Sequence, residues 1–85
     1  MCHIFSKRLI QLRLKNNLSQ KELAVTLKVT PATISNYENG IYLPPLSKAC
    51  LLAKELHTSL DYLCGLTDQP YLDSPQIYKV AEEHM

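Results

Sequence analysis

Apolar positions recur along this chain at helical rather than alternating spacing. Phe5, Leu9 and Leu12 lie four and three residues apart with basic residues between them, which predicts a first helix over 4–15. Asn16-Asn17 ends it, because asparagine tolerates the left-handed conformation that closes helices. Ser19 opens a second helix with Glu22 three residues on, the pattern of a capping box, and Leu23, Ala24 and Leu27 supply its apolar face. Thr30-Pro31 starts a third, with threonine as N-cap and proline at the first helical position. That helix runs through Ile34 and Tyr37 and stops near Asn39-Gly40.

Pro44-Pro45 is an extended break. A fourth helix is expected over 46–56, with Leu46, Ala49, Leu52, Ala53 and Leu56 on one face and His57 at its end. Ser59 caps a short fifth over 60–64 that stops at Gly65. Residues 66–74 read as a linker, rich in the turn formers Thr67, Asp68, Pro70, Asp73 and Ser74. Ser74-Pro75 opens a tail in which Ile77, Val80, Ala81 and His84 share one helical face, too short to be stable alone. The expected fold class is all-α: five short helices around one core over 5–66, then a linker and C-terminal tail helix over 67–85.

Composition narrows the class. At 85 residues the chain has room for one small domain and none for a cleft between two. No apolar run approaches a membrane span, and the first residues lack the apolar stretch of a secretion signal, so a cytoplasmic protein is expected. Two glycines and no tryptophan argue against a many-turned β-sandwich.

Charge is near balance overall, at net +1, but unevenly distributed. Residues 1–40 hold six basic and two acidic side chains; residues 41–85 hold three basic and six acidic. A basic half suggests a polyanionic partner for the first half of the chain.

The three cysteines, Cys2, Cys50 and Cys64, cannot all pair within one chain. Cys50, His57 and Cys64 fall seven residues apart, which raises zinc, but a closed site needs four ligands at close spacing. Cys50 and Cys64 stand where helix faces need small hydrophobes, so buried, reduced thiols are expected instead. No metal and no cofactor is called for. Motifs for phosphate loops, zinc proteases and serine nucleophiles are missing, so an enzyme is not expected.

The second and third helices are the informative part. Ala24 would let the third helix cross the second closely, and Ile34 and Tyr37 would face inward. Pro31, Ala32, Thr33, Ser35 and Asn36 are left for the outer face, which has no large hydrophobe and no acid. A helix of this kind fits the major groove of DNA, with its first turns at the base edges.

Residues 8–66 resemble the lambda-repressor-like, Xre/Cro-type helix-turn-helix family. The resemblance rests on the blocks Leu18-Ser19-Gln20-Lys21-Glu22-Leu23-Ala24 and Val29-Thr30-Pro31-Ala32-Thr33-Ile34-Ser35-Asn36-Tyr37-Glu38-Asn39-Gly40. Leu52-Ala53-Lys54-Glu55-Leu56 and Ser59-Leu60-Asp61-Tyr62-Leu63 follow in the family's order. It places the helix-turn-helix at about 19–39 and implies double-stranded DNA as partner and a homodimeric repressor as function. By that resemblance Pro31, Ala32, Thr33 and Asn36 would contact bases. Gln20, Lys21, Thr30, Ser35 and Asn39 would contact or flank phosphates. Arg13 and Glu38 would be a structural ion pair, the alternative being two surface charges. Asn36 can pair bidentately with adenine, while Ala32 and the Thr33 methyl suit a thymine methyl, so an A·T-containing half-site is expected.

The chain departs from the family pattern at Lys28, where glycine is usual, and at Ile41-Tyr42-Leu43, where a basic loop is common. Lys28 at positive φ would cost on the order of 1 kcal/mol. The apolar loop removes phosphate contacts and supports an alternative, a protein-interaction module of the same fold with weak or no DNA binding.

Overall fold

The computed structural model describes residues 3–70. Five helices follow one another among them: α1 (His3–Lys15), α2 (Gln20–Leu27), α3 (Pro31–Glu38), α4 (Leu46–Glu55) and α5 (Leu60–Leu63). Helices are the only regular secondary structure among the described residues. The expected tail helix, its apolar stripe and Cys2 lie outside them.

Local chemistry opens the inner helices. The Ser19 hydroxyl accepts from the Glu22 amide at 3.0 Å, and the Glu22 carboxylate accepts from the Ser19 amide at 2.9 Å, a closed capping box. Thr30 caps α3 by accepting from the Thr33 amide at 3.2 Å, with Pro31 at the first helical position. Ser59 does the same for α5 through Tyr62. α4 starts after Pro45 with no side-chain cap.

One device closes all five helices. Asn17, Lys28, Gly40, His57 and Gly65 each take positive φ. The residue after each sends its amide five residues back: Leu18 to Arg13, Val29 to Ala24, Ile41 to Asn36, Thr58 to Ala53 and Leu66 to Asp61. This is the Schellman closure, which satisfies carbonyls that the helix end leaves without partners. Only two of the five positions are glycine, so three left-handed side chains carry the strain.

The core joins Phe5, Leu9 and Leu12 of α1 to Leu23, Ala24 and Leu27 of α2, Ile34 and Tyr37 of α3, Leu52 and Ala53 of α4, then Leu56 and Leu63. α2 packs on α3 and α4, α1 on α3 and α5, and α4 on α5. Two longer reaches lock the arrangement. Lys48 of α4 donates to the Leu27 carbonyl at the end of α2, at 2.6 Å. Arg8 of α1 lies 4.0 Å over the Tyr62 ring and donates to the Tyr62 and Thr67 carbonyls, so packing continues past Leu66.

Two expectations fail on α4 and α5. Leu46 is 72 % exposed rather than part of the buried face. Cys50 and Cys64 are exposed thiols rather than buried ones. Leu46, Cys50 and Lys54 are spaced four apart and form one row on the solvent side, while Ala49, Leu52 and Ala53 form the inward one. Cys64 falls just beyond the four-residue α5, of which Leu63 is the buried residue.

Candidate nucleic-acid interface

α2, the turn at Lys28-Val29 and α3 build one surface. Ala24 and Leu27 are buried, and the chain reverses sharply because Lys28 sits at φ 59°, ψ 44°. Its amide and that of Val29 bond back to Val25 and Ala24, and the next residue, Thr30, already caps α3. Between α2 and α3 only three residues remain, so the two helices are held at a fixed crossing.

α3 turns Ile34, Tyr37 and Glu38 inward. Pro31 and Ala32 at its first turn are exposed, and Thr33, Ser35 and Asn36 are half-buried around the same outer face. The Thr30 and Thr33 hydroxyls lie 3.0 Å apart, and Asn39 donates to the Ser35 hydroxyl at 3.2 Å. Lys21 at the start of α2 and Lys28 in the turn are exposed beside them.

Glu38, only 7 % exposed, is the node that anchors this surface. One carboxylate oxygen accepts from Arg13 Nε at 2.5 Å; the other accepts from Arg13 Nη2 at 3.3 Å and from Gln20 Nε2 at 2.9 Å. Arg13 also donates to the Leu18 carbonyl ahead of α2. The carboxylate thereby ties α1, the first residue of α2 and the last residue of α3 together. A buried carboxylate needs this much: charge and hydrogen bonds together offset its desolvation. A second tie lies nearby, where the buried Ser6 hydroxyl of α1 donates to the Tyr37 carbonyl at 3.0 Å. α1 thus pins the C-terminal end of α3 and leaves its N-terminal turn open.

The structure also recruits a residue that the sequence pattern passes over. Asn36 Nδ2 donates to the Tyr42 hydroxyl at 3.1 Å, and the Tyr42 ring meets Tyr37 edge-on, with centroids 5.6 Å apart. Burial and the neighbouring Tyr42 push the Tyr37 hydroxyl above its ordinary pKa. Helical periodicity carries no signal for Tyr42, because it lies in the loop that turns back after Gly40.

Both arginines of the basic half face protein partners. Arg13 meets Glu38, and Arg8 meets Asp68 at 3.2 Å. The positive field of the outer surface therefore draws on exposed lysines, among them Lys21 in α2 and Lys28 in the turn between α2 and α3. Among the described residues no three His, Cys, Asp or Glu side chains converge as metal ligands, and no helix is long and apolar enough to cross a membrane.

Comparison with known proteins agrees with the fold. Residues 9–63 match the model of the helix-turn-helix family. The chain is 36 % identical to YobD of Bacillus subtilis strain 168, described as an uncharacterized HTH-type transcriptional regulator, over 94 % of this chain and 85 % of that one. Its fold matches the crystal structure of a transcriptional regulator from Listeria innocua with a TM-score of 0.71 and 25 % identity, covering 98 % of this chain and 77 % of the other.

Proposed function

The chain belongs to the helix-turn-helix family of transcriptional regulators, DNA-binding proteins and not enzymes, and we propose that it is a cytoplasmic repressor that inserts α3 into the major groove as a homodimer. The observation that carries this reading is the open N-terminal turn of α3, set on a helix whose other end is anchored to α1 and α2 through Glu38. A rigid helix with its first turns exposed is what groove reading requires.

In this reading Pro31, Ala32, Thr33 and Asn36 face base edges, with Asn36 directed to an adenine and the apolar groups to thymine methyls. Gln20, Lys21, Thr30, Ser35 and Asn39 ring that face and serve phosphates, which set register without reading sequence. Gln20 has one amide hydrogen committed to Glu38 and keeps the second, with its backbone amide at the helix start, for an oxygen of the DNA backbone. One copy of so small a domain covers little DNA, so two copies about 34 Å apart on one face would supply specific affinity.

The test is selection of bound sites from random duplex DNA, followed by footprinting. The expected result is an A·T-containing near-palindrome with two protected half-sites. Selection of no sequence would refute the reading, and one half-site bound at full affinity by a monomer would refute the dimer. The rival reading, a protein-interaction module, draws on the exposed apolar run Ile41, Leu43 and Leu46 beyond α3. It would be favoured by a protein that binds duplex DNA no better than a charge-matched control at low salt.

A further inference from the structure

We infer that Tyr42 is a positioning residue for base recognition: its hydroxyl, held by the ring's edge-on seat against Tyr37, fixes the Asn36 amide in the orientation that reads adenine. This rests on the groove placement of Asn36 proposed above and goes beyond it, since Tyr42 itself touches no base.

An asparagine on an open helix face samples several rotamers, and its terminal amide rotates through a broad torsional range. Reading adenine takes two bonds at once: Oδ1 accepts from N6 and Nδ2 donates to N7. A freely turning amide must be ordered on binding, which weakens the contact and its discrimination. Here the order exists before DNA arrives. Nδ2 gives one hydrogen to the Tyr42 hydroxyl at 3.1 Å. The second hydrogen and Oδ1 remain, and these are the donor and acceptor that adenine needs. The bond also tells the two ends of the amide apart from their surroundings.

Tyr42 can do this because its own position is set from behind. Tyr37 is 3 % exposed, and the two rings pack at 82°, a favourable edge-to-face arrangement. The loop reaches back because Gly40 takes φ 72° and Ile41 bonds to the Asn36 carbonyl at 3.0 Å. The backbone of Asn36 thus closes the turn that brings Tyr42 to the Asn36 side chain. The apolar loop that lacks phosphate contacts instead carries a part of the reading head.

The experiment compares wild type, Tyr42→Phe, Asn36→Ala and the double variant by site selection from random duplex DNA, scored position by position. Phenylalanine keeps the ring against Tyr37 and removes the hydroxyl alone. Asn36→Ala should flatten preference at one position of each half-site. Tyr42→Phe should reduce preference at that same position by about two- to tenfold, the cost of ordering one side chain on binding, and leave the other positions unchanged. In the Asn36→Ala background Tyr42→Phe should change nothing. The inference is overturned if Tyr42→Phe keeps the full preference, weakens all positions alike, or flattens a position that Asn36→Ala leaves intact. If wild type selects no sequence, the groove reading itself has failed and this inference with it. If wild type and Asn36→Ala behave as expected while Tyr42→Phe does not, only the role of Tyr42 is lost.

Discussion

Arg13 of α1 grips Glu38 of α3 with two guanidinium nitrogens, and the side chains are 14 % and 5 % exposed. Breaking one side should be worse than removing both. Glu38→Ala leaves a largely buried guanidinium without its carboxylate and removes the acceptor of Gln20, at a cost of about 3–5 kcal/mol. For a domain of this size that is a large share of total stability. Arg13→Met with Glu38→Leu keeps volume without charge and should recover much of the loss. Urea unfolding in a double-mutant cycle measures the coupling. A value near zero would show that the two side chains do not stabilise the fold as a pair.

Lys28→Gly tests the strained turn between α2 and α3. Lys28 is exposed and sits in the left-handed region. Glycine removes a cost of about 1–2 kcal/mol there but adds unfolded-chain entropy, so a net gain of roughly 0.5–1 kcal/mol is expected. DNA affinity should nevertheless fall slightly, with a shallower salt dependence, because a lysine beside α3 is lost. A drop in unfolding midpoint would contradict the strain argument.

Gly40→Ala should act in the opposite sense. Gly40 takes φ 72°, and a Cβ there would meet Ser6 Oγ at 3.3 Å. The backbone term alone destabilises by about 1–2 kcal/mol. Ser6 cannot yield without loosening its bond to the Tyr37 carbonyl. Thermal unfolding of Gly40→Ala with and without Ser6→Ala separates the two contributions: the contact contributes only if the second change softens the first.

Glu22 links the capping box to acid stability. The Ser19 amide, then the Ser19 hydroxyl, hold its carboxyl below the ordinary value of 4.5. A depressed folded-state value means the ionised form stabilises the fold. That contribution is present above the ordinary carboxylate range and fades as pH falls through the Glu22 value. Glu22→Gln keeps an acceptor but cannot titrate. The stability difference between wild type and Glu22→Gln should be largest near neutrality and shrink in acid, read from urea midpoints across pH. A difference independent of pH would remove Glu22 from the acid response.

Helix limits were legible in the sequence because the groups that set them are local. Ser19 with Glu22, Thr30 with Pro31, and Ser59 all cap within three residues. Asn17, Gly40 and Gly65 close helices through bonds that span six residues at most. Spacing likewise announced the inward side chains Leu9, Leu12, Leu23, Leu27, Ile34 and Leu52, because a helix turns its apolar stripe to the core whatever the partner is. The outer face of α3 followed as the remainder.

Tertiary structure decided everything that depends on which neighbour arrives. Periodicity marks an apolar arc but not its covered width, so Leu46 and Cys50 looked internal until α4 turned their row to solvent. Lys48 reads as a surface charge until the end of α2 comes within 2.6 Å. Gln20 could be placed at the start of α2 from sequence, but its bond to Glu38 joins residues 18 apart. Tyr42 meets Asn36 only because the chain reverses at Gly40. The physical reason is common to all of these. Caps and stripes are satisfied by the backbone within a turn or two, whereas a side-chain partner is chosen by the crossing of helices, which no local stretch of this chain contains.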